Sequence, residues 1–160
     1  MDRRMNFDLS EIRKKTVSVG QYIDSLEQPF KEKFLKRKQA YKLQPQAVGQ
    51  LRRFAEKYVA IVFSASWCKD CAEYIPVLSL ISEATGLEVR VFGGLMKDPL
   101  SQVCKWRIPP SPPEVVTFEV DKIPLIIIVD LYGKEIGRVI ESPKRWPTLE
   151  QELYEIIKSH

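Results

Sequence analysis

Two cysteines stand three residues apart in Trp67-Cys68-Lys69-Asp70-Cys71, between an apolar run, Val59-Ala60-Ile61-Val62-Phe63, and a helix-like stretch from Ala72 to Thr85. A buried strand must therefore run straight into a helix, with both thiols at the junction. Residues three apart on a helix face the same way, with Cβ atoms about 5–6 Å apart. A disulfide needs about 3.8 Å, so a small adjustment in the first turn lets the pair close. Unpaired N–H groups and the positive end of the helix dipole at that terminus stabilise a thiolate. Cys68 comes first and is expected to be the exposed, low-pKa nucleophile. Cys71, one turn in, is expected to be the buried partner that resolves a mixed disulfide. An incidental pair, or half of a zinc site, is the competing reading. The strand-then-helix context, Trp67 directly before the pair and Pro76 five residues after it favour redox chemistry.

Around this junction the hydrophobic pattern predicts the remaining elements. Residues 1–16 are polar and charged, a short helix or a loose arm. Val19, Tyr22, Ile23, Leu26, Phe30, Phe34, Leu35 and Tyr41 recur at helical spacing. Pro29 interrupts them, either kinking one helix or opening a second. Pro45 begins a further helix, whose apolar face is Val48, Leu51, Phe54, Ala55 and Tyr58. Then follow a strand at Val59–Ala65, the helix to Thr85 closed by Gly86, and an alternating strand at Leu87–Phe92. Asp98-Pro99 is expected to open a short helix to about Arg107, and the prolines from Pro109 to Pro113 form a stiff loop. Glu114–Val120 is a short strand or more loop. Ile123–Asp130 is a central strand, Leu131–Lys134 a tight turn suited by Gly133, and Glu135–Glu141 an antiparallel strand near an edge. Thr148-Leu149-Glu150-Gln151 has the capping-box pattern, opening a helix that buries Leu149, Leu153, Ile156 and Ile157.

The Trp-Cys-x-x-Cys stretch, with a proline at the offset of Pro76, resembles the active site of the thioredoxin superfamily. The element order over residues 58–160 is similar to that of the thioredoxin fold. The resemblance implies an α/β domain there, with a central mixed sheet flanked by helices on both faces. Residues 1–57 are an α-helical extension, expected to pack on it, that a minimal thioredoxin lacks. In such proteins a cis proline at the head of the strand faces the two cysteines, and the residue before it offers its backbone to the substrate peptide. By resemblance Pro124 and Ile123 take these places. Trp67 is expected either to cover the disulfide and present a flat apolar surface to substrate or to be a core aromatic. Lys69 and Asp70 replace the Gly-Pro of typical thioredoxins; Lys69 favours a thiolate at Cys68 and Asp70 opposes it. One departure stands out. Thioredoxins carry a buried acid six residues before the first cysteine, held to help deprotonate the resolving one, and here that position is Val62. Glu73 is near in sequence, but on a helix that can point it elsewhere.

The expected activity is thiol–disulfide exchange, reducing protein disulfides through the Cys68/Cys71 dithiol. The redox-active pair needs no organic cofactor and no metal. An electron donor must regenerate it, such as a thioredoxin reductase-like flavoprotein or a small thiol. The alternative is a binding or adaptor module whose N-terminal helices dock a partner. Cys104 is a buried filler, an additional redox partner, or a zinc ligand with Cys68, Cys71 and His160. His160 is the single histidine, which removes support for hydrolase triads. Residues 1–57 hold 14 Lys/Arg and 7 Asp/Glu, and the rest holds 11 and 14, so the chain is basic first and mildly acidic after. Acids and bases are interspersed there, which favours a solvated helical face over a nucleic-acid or membrane surface. With no apolar leader, no run long enough to span a membrane and an odd cysteine count, the reducing cytosol is the expected compartment.

Overall fold

The computed structural model of the chain describes residues 6–101, 105–106 and 108–160. Thirteen segments build it: α1 (Leu9–Lys15), β1 (Val17–Ser18), α2 (Val19–Asp24), α3 (Phe30–Ala40), α4 (Pro45–Arg52), a 3-10 turn (Ala55–Lys57), β2 (Tyr58–Phe63), α5 (Lys69–Thr85), β3 (Glu88–Phe92), α6 (Glu114–Thr117), β4 (Leu125–Asp130), β5 (Glu135–Ile140) and α7 (Leu149–Lys158). The strands form one mixed sheet in the order β1-β3-β2-β4-β5. Parallel neighbours need a crossover, and α5 supplies it between β2 and β3. β4 pairs antiparallel with β2 and with β5.

The apolar run of β2 has no alternation because both faces of the sheet are covered. Val59 through Phe63 are fully buried, and Leu125 through Val129 of β4 are nearly so. The helices before β2 join the same core. Ile23, Phe34, Leu51 and Ala55 are buried with the strand residues, and α3 lies along α5. The sequence pattern places no strand before β2, yet Val17 and Ser18 pair with Val91 and Arg90 on the free side of β3. Arg90 donates to Thr16 Oγ1 (3.0 Å) and to the Thr16 (2.7 Å) and Arg13 (3.0 Å) carbonyls, fixing that chain crossing.

The basic N-terminal third meets acids of the same chain. Arg13 makes a two-pronged pair with Glu88 at 2.9 Å, Lys15 pairs with Glu114 at 2.9 Å, and Arg37 with Glu73 at 3.3 Å. Two buried acids on α7 have backbone partners. Glu152 Oε1 accepts the N–H groups of Lys144 (2.9 Å), Arg145 (2.7 Å) and Trp146 (3.3 Å). Glu150 accepts from the Tyr41 hydroxyl (2.8 Å) and the Gln44 N–H (2.8 Å).

Several local expectations are resolved or corrected. Leu9–Lys15 is helix α1, capped by Asp8. Pro29 opens α3 rather than kinking a longer helix, and the Gln28–Pro29 bond is cis. Pro45 is in the first turn of α4, and Gly86 ends α5 at φ 82°. Gly133 turns the β4–β5 hairpin at φ 82°, where Asp130 accepts the N–H groups of Tyr132 and Lys134. The helix expected from Asp98 is absent among the described residues, which form turns at 99–100 and 105–106. Asp98 accepts the Leu100 N–H within the first of these turns. Glu114–Val120 is neither strand nor loop throughout: four residues form α6, which sends Val115 and Phe118 into the core.

Candidate functional site

Cys68 is the cap residue of α5, with extended backbone (φ −77°, ψ 125°), so its side chain turns back over the first turn. Its sulfur accepts the Cys71 N–H at 3.3 Å, where a serine or aspartate oxygen would ordinarily sit. Cys71 is fully buried, whereas Cys68 is half exposed. Both are thiols. The Cys71 thiol, followed by the backbone N–H groups of Cys71 and Asp70, holds Cys68 below the ordinary thiol range, at about 7, against burial and the Asp70 carboxylate. Burial, first, and the neighbouring Cys68 push Cys71 upward. One sulfur is thus poised as a thiolate near neutrality and the other holds its proton.

Ile123 and Pro124 come to this place from the head of β4. The Ile123 carbonyl oxygen lies 3.7 Å from Cys68 Sγ; Ile123 and Pro124 are both buried, and the Ile123–Pro124 bond is cis. Trp67 is 44% exposed, which sets it apart from a core aromatic. Its indole N–H donates to the Leu95 carbonyl at 3.1 Å, and its ring stacks on Trp106 at 6.1 Å. Lys69 is exposed on the first turn of α5 and Asp70 is half-buried beside it. On the other side of Trp67, a groove of about 470 Å³ runs to the N-terminal helices, lined by Val17, Tyr22, Leu26, Phe30, Leu95 and Met96 among others.

Val62, six residues before Cys68, is fully buried in β2. Glu73 faces Arg37 on α3 and is exposed, so it does not serve Cys71. Ser64, fully buried just past β2, shares a 3.0 Å hydrogen bond with the Tyr22 hydroxyl, and its hydroxyl works against the upward push on Cys71. Only Ser64's place between a buried strand and the cysteines marks it in the sequence; Tyr22 reads as one more apolar helix position.

His160 sits at the start of β2, its Nδ1 3.2 Å from the Tyr58 hydroxyl. The cysteines follow the far end of that strand, about 20 Å away for six residues, so His160 is no zinc partner for them. Cys104 lies outside the described residues. No group of three or more metal-binding side chains occurs among the described residues, and no described helix is long and apolar enough to cross a membrane.

The family model described as Thioredoxin matches residues 16–154. No curated protein matches the sequence significantly. Among solved structures, a protein of unknown function from Pseudomonas aeruginosa superposes with a TM-score of 0.71 at 16% identity, covering 96% of this chain and 98% of its own. An HIV epitope-scaffold protein superposes at 0.72 and 15% identity, covering 96% and 99%. At such identities the likeness speaks for the fold.

Proposed function

The chain belongs to the thioredoxin family, and from that premise we propose that it is a thiol–disulfide oxidoreductase that reduces protein disulfides through Cys68 and Cys71. The observation that carries this reading is the asymmetry of the pair: a half-exposed sulfur held near neutrality on the cap of α5, backed by a buried thiol one turn on.

The Cys68 thiolate attacks one sulfur of a substrate disulfide. A Cys68–substrate bond forms, the substrate S–S bond breaks, and the first substrate thiolate leaves. Cys71 then attacks Cys68 Sγ, which forms the Cys68–Cys71 disulfide and releases the second substrate thiol. Two electrons pass from the protein to the substrate. The Ile123 backbone, beside Cys68, would hold the peptide flanking the target sulfur, and the exposed ring of Trp67 would give it an apolar face. The chemistry resides in the two thiols and needs no bound group. A thioredoxin reductase-like flavoprotein or a small thiol would restore the dithiol, in the reducing setting of the cytosol.

The test is the reduction potential of the pair, measured in graded dithiol/disulfide buffers by trapping free thiols and counting labels by mass. A value near about −270 mV is the outcome expected of a reductase, and one near about −120 mV would make the protein an oxidant. If no reversible disulfide forms between Cys68 and Cys71, the reading fails.

A further inference from the structure

Val17, Trp67 and Met96 are 41%, 44% and 40% exposed, and all three line the groove of about 470 Å³ that starts at Ser66 and Trp67, the residues directly before Cys68. Exposed apolar side chains gathered in one place mark an interaction site. The wall away from Cys68 comes from the N-terminal segment, where Leu26 follows α2 and Phe30 heads α3, both half-buried. The groove is preformed. The Trp67 indole N–H is tied to the Leu95 carbonyl at 3.1 Å. Tyr22, which also lines it, is edge-on to Phe34 at 6.3 Å, and a Cβ on Gly93 would fall 2.6 Å from its Cε1. Two charged side chains border the groove. Lys15 is held by Glu114 at 2.9 Å, whereas the Glu27 carboxylate has no partner among the described residues. The uncommitted charge there is therefore negative.

We propose that this groove takes a large apolar side chain of a polypeptide substrate, two residues from the cysteine under attack, and that Glu27 meets a basic residue beyond it. An extended chain alternates its faces and advances about 3.3 Å per residue. The second residue from the substrate sulfur is then the first side chain on the same face, about 6.6 Å on, toward the far side of the Trp67 ring. The space is in the range of about 300–1,000 Å³ that encloses organic ligands, so an aromatic or leucine side chain fits with its flanking backbone. This place is separate from the Ile123 carbonyl, which stands at Cys68 itself. A small anionic disulfide such as oxidised glutathione fits poorly, because it would bring carboxylates toward Glu27 and Asp70 and leave the apolar walls wet. The exchange is unaltered: the Cys68 thiolate bonds to the substrate sulfur, the substrate S–S bond breaks, and Cys71 closes the internal disulfide. The assignment rests on the oxidoreductase reading and deepens it, since the N-terminal helices then select the substrate.

The test uses the full chain in a Cys104→Ser background, reduced and mixed with excess symmetric disulfide dimers of a short peptide whose cysteine is central. One dimer has phenylalanine two residues to each side of the cysteine and lysine at both ends. Another has serine for phenylalanine, and another has glutamate for lysine. Quenching by alkylation and counting labels by mass gives each rate. The parent is expected to reduce the phenylalanine dimer about tenfold or more faster than the serine dimer, the scale of burying one large side chain. It is expected to prefer lysine to glutamate by about twofold to fivefold at low salt. The phenylalanine preference should fall to about threefold or less in Leu26→Ala/Met96→Ala, and also in Ser25→Trp, which fills the groove from its exposed rim. Glu27→Lys should reverse the lysine preference. Urea denaturation establishes that each variant is folded. Equal rates for the phenylalanine and serine dimers, faster reduction of oxidised glutathione than of either, or a preference untouched in the folded variants overturns the assignment and leaves the oxidoreductase reading standing. Equal rates for the lysine and glutamate dimers remove Glu27 from it. If the parent reduces no disulfide at all, the oxidoreductase reading falls and this assignment with it.

Discussion

Cys68 Sγ lies 3.3 Å from the backbone N–H of Cys71, so the sulfur that would attack substrate is also the cap of the helix carrying its partner. Helix capping and thiolate stabilisation are here one interaction, because an orphan N–H at the first turn satisfies whichever acceptor faces it. Replacing the sulfur by oxygen should keep the first role and abolish the second. Cys68→Ser is expected to reduce no disulfide above background while its unfolding free energy stays within about 1 kcal/mol of the parent, since serine is a preferred cap. Insulin turbidity and urea denaturation read the two quantities separately.

The two thiols should also separate by pH. Alkylation of the dithiol form with iodoacetamide is expected to accelerate through a midpoint of about pH 7, with the label on Cys68 and none on Cys71 by peptide mass. The sign carries over to stability. Cys68 titrates lower in the folded than in the unfolded chain, so between pH 7 and the ordinary thiol range near about 8.5 the unfolded state binds more protons. The reduced protein is therefore expected to gain stability from pH 6 to pH 8 and to lose that gain as pH falls through 7. Cys71 works the other way only above its ordinary range. Urea titrations of the reduced and oxidised forms at the two pH values check this, because the oxidised form lacks the effect.

Glu152 gathers three consecutive backbone N–H groups with a single carboxylate oxygen. Glu152→Ala leaves those donors without their acceptor and is expected to cost about 2–3 kcal/mol, the scale of several charge-assisted bonds after solvent replaces part of them. Denaturant titration measures it. The alkylation rate of Cys68 should not change.

Gly93 leaves room for the Tyr22 ring and for nothing more. Gly93→Ala is expected to destabilise the chain by about 1–3 kcal/mol through overpacking. Urea denaturation gives the loss, and near-ultraviolet circular dichroism shows whether the tyrosine ring has shifted.

Much of this molecule was legible because apolar periodicity reports burial directly. The runs at Val59–Phe63 and Leu125–Val129 can bury every side chain only between two covered faces, and they are the two central strands. The cysteine spacing put one thiol on a helix cap and the other inside, as the geometry of a first turn requires. Pairing and polarity were harder to see. Val17 and Ser18 are too few for an alternation to register, and their strand exists because β3 has a free side to bind. The stretch Glu114–Val120, rich in β-branched residues, became helix where Val115 and Phe118 had to reach the core together, and tertiary packing outweighed local preference. Ser64 and Tyr22 are 42 positions apart, and no local pattern joins two hydroxyls across such a distance.

The buried carboxylate of Glu150 has a consequence for the ancestry of the chain. Its donors, the Tyr41 hydroxyl and the Gln44 N–H, lie on the opposite side of any boundary drawn at β2. A gene fusion or exon exchange that carried away the later part alone would inherit an interior charge stripped of its partners, a defect worth several kcal/mol. Shuffling is thereby penalised at that boundary, in keeping with a family match that runs unbroken across it from residue 16 to 154.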